Sequence, residues 1–245
     1  MINLFKKKKD KKNYDELFLE VKEQHLPEIY ESIKKNPKAN EAYNEIINLN
    51  NEIALMIQQL AKNYKLDVFN KTFPTILSMI VYPAGAHIYG AFISSALPLC
   101  FQAIRVSIEA ICMAFYIDVK NPYKNYVNPF QKLLDFDKEL NREKISISKF
   151  IKEYMKEVID ENTANKFIEL WGKVSNDFLH FRGYAKRLSK WSSGQEDTAP
   201  PSLAGTFFPY GKEDEEDMQY LTKTLHEFGQ LLKDLYEKWK NQQYS

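Results

Sequence analysis

The sequence predicts an all-α protein, a multi-helix bundle of six to nine helices with a long loop before a C-terminal helix. Three observations lead there. Apolar residues recur at three- and four-residue spacing through most of the 245-residue chain, and no strand-like alternation competes with them. Hydrophobic residues make up 44% and aromatic residues 14%, ample for a packed core. Only eight glycines are present, which disfavours folds built on glycine-rich phosphate loops. The formal net charge of +1 argues against a surface given over wholly to nucleic acid.

The chain divides into a basic tail (1–12), a helical bundle (13–188), a loop or linker (189–212) and a C-terminal helix packing on the bundle (213–245). Lys6, Lys7, Lys8, Lys9, Lys11 and Lys12 fill the tail. No apolar stretch of the kind a secretory signal needs follows them. Clustered cations of this sort are either a solvated end or a contact for nucleic acid or anionic lipid. Asn13 can cap a first helix whose apolar positions are Leu17, Val21, Leu26, Ile29, Tyr30 and Ile33. Pro27 bends or restarts it, and Asn36-Pro37 ends it. Tyr43, Ile46, Ile47, Ile53, Ile57, Leu60 and Ala61 mark a second helix over 40–62.

From Thr72 to Ile104 there is no Asp, Glu, Lys or Arg across 33 residues. That is long enough to cross a bilayer. Pro74, Pro83 and Pro98 cut it into shorter runs, so buried core helices over 73–81 and 86–97 are expected and a membrane span is the least favoured reading. Pro98 suits the first turn of a helix reaching Asp118, apolar almost all round and therefore central. Arg105 and Glu109 interrupt it at i, i+4. After a loop over 120–128, Ser146 or Ser148 caps a helix over 149–160. Another runs over 163–181, with Phe167, Leu170, Trp171, Val174, Phe178 and Phe181 facing the core. The stretch 189–212 holds Pro200-Pro201, Gly205, Pro209 and Gly211 and reads as a loop that Phe207, Phe208 and Tyr210 dock at one point. Glu213 to Asp217 then place five acids at the start of the last helix, where its dipole favours them. Its buried stripe is Met218, Leu221, Leu225, Phe228, Leu231, Leu232, Leu235 and Trp239.

Chemistry gathers between Lys173 and Lys186. Lys173, Asn176, Asp177 and His180 share one helix face, and Arg182 and Lys186 follow. A histidine exchanges protons near neutrality, a neighbouring Asn or Asp fixes its tautomer, and Arg grips phosphate with two hydrogen bonds. Ser175-Asn176-Asp177-Phe178-Leu179-His180 resembles the motif of the HEPN superfamily, in which an Arg and a polar residue precede a His on a late helix. The helix bearing Arg105 and Glu109, followed by Phe115-Tyr116-Ile117-Asp118, is similar to HEPN-like proteins as well. The resemblance spans residues 40–185. It implies a small helical bundle that dimerises and cuts RNA without a metal or cofactor. His180 would be the acid/base, Asn176 its support, and Arg182 the phosphate partner. Arg105, Lys173 and Lys186 would be further phosphate contacts, with Glu109, Asp177 and Ser175 supporting. Ser175 stands where the family has its Arg, so a member that keeps the fold and has lost the cutting activity is favoured over an active one.

Against this stands a plainer reading, in which His180 bonds a neighbouring carbonyl and Arg105 with Glu109 is a structural ion pair. No G-x-S-x-G, P-loop or zinc-spaced histidine pair is present, and His25, His87, His180 and His226 are scattered. His87 is expected to be satisfied in the core, and Trp171, Trp191 and Trp239 read as packing residues. Cys100 and Cys112 read as small buried hydrophobes in a reducing cytoplasm. Two competitors to an RNA- or nucleotide-associated, defence or toxin–antitoxin protein remain. One is a non-enzymatic module that meets a protein partner through residues 189–217. The other is a membrane-associated protein using residues 72–104.

Overall fold

The computed structural model describes residue 23 and residues 25–64, 66–120, 128–176 and 209–244. Pro27 sits in the first turn of α1 (Leu26–Lys35), where its missing N–H has no intrahelical partner to lose. Asn36 ends α1 and starts α2 (Pro37–Tyr64). Its side-chain oxygen accepts the N–H groups of Lys38 at 2.9 Å and Ala39 at 3.2 Å.

The charge-free stretch is organised differently from the expectation. Residues 72–93 form one helix, α3 (Thr72–Ile93), rather than two. It is α-helical over Thr72–Ile76, π-helical over Leu77–Val81 and α-helical again over Tyr82–Ile93. Pro83 accounts for the wide turn. It has no N–H for the carbonyl of Met79, and its ring crowds that oxygen. The break comes later, at Ser94–Ala96, where Ser95 takes a positive φ of 55°. The following helix α4 (Leu97–Lys120) is central as expected, with thirteen buried residues.

A helix absent from the sequence reading follows, α5 (Pro129–Arg142), capped by the Asn128 side chain on Phe130 N at 2.9 Å and Gln131 N at 3.3 Å. Ser146 caps the next segment, which passes from an α-turn (Ile147–Lys149) to a π-turn (Phe150–Tyr154) and a 3-10 turn (Met155–Glu157) instead of one regular helix. Asp160 caps α6 (Glu161–Val174) through Thr163 N at 2.9 Å. Lys212–Asp214 form a 3-10 turn, and α7 (Glu215–Tyr244) completes the described chain.

Four long helices build the core. α7 packs on α2, α2 on α3, α3 on α4, and α4 on α7. Around this square, α1 lies on α2 and α3, α5 lies on α4 and the start of α3, and α6 lies on α4 and α7. The interior holds Ile46, Ile53, Leu60, Phe92, Phe101, Ile108, Phe115, Leu225 and Phe228, all essentially inaccessible. Every apolar position expected for the last helix is buried. Among the described residues there is no strand, and the all-α class holds.

Two polar anchors fix the ends of this square. Asp118 accepts the N–H groups of Thr72 and Phe73 and the indole N–H of Trp239, each at 2.9 Å, so one carboxylate ties the start of α3 and the end of α7 to α4. Tyr210 is buried, stacks on Phe92 with ring centres 5.1 Å apart, and donates its hydroxyl to the Phe92 carbonyl at 2.6 Å. Burial pushes that hydroxyl well above the usual tyrosine range. Phe207 and Phe208, expected to dock beside it, lie outside the described residues.

Candidate functional site

Residues of α4 and α6 build the corner nearest to the expected chemistry. α4 and α6 pack together because both carry apolar stripes, and that contact brings Glu109 under Trp171. One oxygen of Glu109 accepts both the Nε–H of Arg105 at 2.9 Å and the indole N–H of Trp171 at 2.8 Å. The Arg105 guanidinium carbon lies 5.0 Å from the Trp171 ring centre, so the cation rests on the indole face. Arg105 and Glu109 are half-buried. The pair is therefore a cross-linked structural unit, as the plainer reading holds, and Trp171 is more than packing. Its indole N–H decides where Glu109 points.

The remaining described candidates do not join this unit. Lys173 faces α7, with its ammonium 3.9 Å from Glu227. Asn176 is exposed one turn beyond. Ser175 is buried, 1% exposed, and its Oγ is without a hydrogen-bond partner. His180, Asp177, Arg182 and Lys186 lie outside the described residues. His87 departs from expectation, because it is exposed on α3 rather than satisfied in the core. Cys100 and Cys112 are buried and free, and burial pushes both thiols up, out of the reactive range. Among the described residues no three His, Cys, Asp or Glu side chains come together to hold a metal ion.

A groove of about 300 Å³ between α2 and α7 was not foreseen. Glu45, Asn48, Asn51, Glu52, His226 and Gln230 line it. Glu45 meets His226 Nδ1 at 3.2 Å, and Glu52 receives the Lys233 ammonium at 2.5 Å. The sequence signal was available in the polar positions 45, 48 and 52 of the second helix, but only the pairing of α2 with α7 sets them opposite 226 and 233.

Comparison with protein-family models, with curated proteins and with solved structures finds no match.

Proposed function

We propose that the chain is a helical, RNA- or nucleotide-associated protein that binds its ligand without cutting it. The observation that carries this reading is the burial of Ser175. The position where the resembled motif has a phosphate-gripping Arg holds a small hydroxyl turned into the bundle. Without a cation there, the motif lacks the charge that would stabilise strand cleavage in the resembled family. Binding rests on Arg105. Its Nε is committed to Glu109, which leaves the planar terminal amino groups for a phosphate oxygen. Glu109 compensates the charge, so the corner orients a phosphate at close range and does not attract one from afar.

Fluorescence anisotropy with a short single-stranded RNA, read alongside a gel for RNA integrity, tests both halves. The RNA is expected to stay intact, and Arg105→Gln to weaken binding about tenfold, the worth of one charge-assisted hydrogen bond. Unchanged affinity in Arg105→Gln removes the proposed contact. Cleavage that disappears in His180→Ala overturns the non-cutting half.

A further inference from the structure

The outer face of the α3–α4 hairpin is a feature that this reading leaves unused. The two helices run antiparallel, with Cys100 Sγ against the Ile88 carbonyl at 3.5 Å near the turn and Asp118 on Thr72 at the far end. α2 and α7 close the inner side of the hairpin, α5 covers its far end, and α6 covers the flank of α4 that bears Glu109. α1 and the turn at Leu66–Asn70 also touch α3, and an outer face remains. It exposes Met79 at 61%, Leu99 at 54%, Val106 at 47% and Tyr82 at 45%. On α4, Leu99, Ala103 and Val106 repeat at helical spacing down this flank, with Leu99 and Val106 exposed and Ala103 half-buried. The first charges beyond the 33 charge-free residues, Arg105 and Glu109, are turned about a quarter of the helix circumference or more away, toward Trp171. A soluble surface ordinarily breaks such a run with charge.

We propose that this face docks on the surface of an anionic lipid bilayer, lying on it without crossing it. The helices Thr72–Ile93 and Leu97–Lys120 are long and apolar enough to span, but 44% and 61% of their most apolar windows are buried in the bundle. Asp118 and Trp239 bind them to α7. Insertion of the outer side chains alone keeps these contacts. The occupant is chosen by charge. Tyr30 of α1 meets Tyr43, and Tyr43 meets Tyr89 of α3, with ring centres 6.5 and 5.9 Å apart. α1 thus lies beside α3, and in the sequence the six lysines between Lys6 and Lys12 precede it. Apolar insertion with a polybasic segment makes the two signals that stable attachment to acidic lipid needs. A peptide helix would need a groove, and the groove described above lies between α2 and α7.

Flotation of the full chain with vesicles tests the proposal. Phosphatidylcholine vesicles containing phosphatidylserine are expected to carry the protein, and phosphatidylcholine alone to carry at least about tenfold less, with the difference collapsing in high salt. The triple variant Met79→Ser, Leu99→Ser, Val106→Ser is expected to lose at least about tenfold in partitioning while keeping the wild-type circular dichroism spectrum. Failure of the wild type to float with acidic vesicles overturns the proposal, whether or not the variant folds. So does unchanged flotation of a folded triple variant. A wild-type dimer in sedimentation velocity that the triple variant abolishes, without vesicle binding, assigns the face to a second copy instead. None of these outcomes depends on Arg105 or on RNA.

Discussion

Asp160 shows how much one side chain can do at a helix start. Its carboxylate accepts the Thr163 N–H at 2.9 Å and the Thr163 hydroxyl at 2.8 Å, and it also takes the Lys238 ammonium of α7. The Lys238 contact first, then the two Thr163 bonds, hold this carboxyl well below the usual range. A carboxyl with a depressed folded pKa stabilises the fold above its unfolded pKa and loses that contribution as pH falls through the folded one. Wild type is therefore expected to be more stable than Asp160→Asn at pH 7, with the gap shrinking as pH drops below about 4, where the unfolded carboxyl takes up a proton. Urea unfolding of both proteins at pH 7 and at acid pH reads this directly. A gap that stays constant with pH would refute the assignment. Asn preserves the helix cap, so the comparison isolates the charge. That Asp160 caps a helix is legible in Asp160-Glu161-Asn162-Thr163. The identity of its lysine, 78 residues away, is not.

At the scale of elements, α2 and α3 meet where Gly85 lets them approach. A Cβ at Gly85 would lie 1.6 Å from Asn50 Oδ1, inside any allowed contact. The same Asn50 donates to the Gly85 carbonyl at 3.3 Å, while its Oδ1 is buried with no partner. Gly85→Ala is expected to cost about 1–3 kcal/mol as Asn50 is forced aside. Asn50→Ala should be mild alone and should remove most of that penalty in the double variant, because the clash disappears with the amide. A double-mutant cycle by thermal or urea unfolding measures the coupling. Additive effects would show that α2 and α3 are held apart by something else. Helical periodicity predicts α2 and its face, and helical character for the stretch that becomes α3. It does not predict the π-turn at Leu77–Val81, because Pro83 reads equally well as a helix end. Packing on both sides keeps the helix running through it. α5 escaped for the opposite reason. Its stripe of Phe130, Leu133, Phe136 and Leu140 is short and lies among many polar residues, so it gives little periodic signal.

For the whole molecule, Trp239 is the keystone. It is fully buried, stacks on Phe73 with ring centres 5.6 Å apart, and donates to Asp118, joining α7 to α3 and α4 at once. Trp239→Ala is expected to cost about 3–5 kcal/mol, a large share of the stability of an ordinary domain. Trp239→Phe keeps the stacking but leaves Asp118 one donor short, and should cost about 1–3 kcal/mol. Chemical denaturation followed by circular dichroism measures both. Equal, small losses would mean that α7 is peripheral to the bundle.

The sequence by itself determined the class and the cores of most helices. Helical periodicity, capping residues and the punctuation by proline are local properties, written within a few turns of the chain. It also marked the charge-free stretch and the pairing of Arg105 with Glu109, because i, i+4 spacing suffices to put two side chains on one face. Only the tertiary structure decided that Glu109 is shared with Trp171, that Ser175 faces inward, and that the hairpin of α3 and α4 leaves Met79, Leu99 and Val106 exposed. Each of these depends on which helices meet. That choice is set by the summed packing of residues far apart in sequence, which no local window contains.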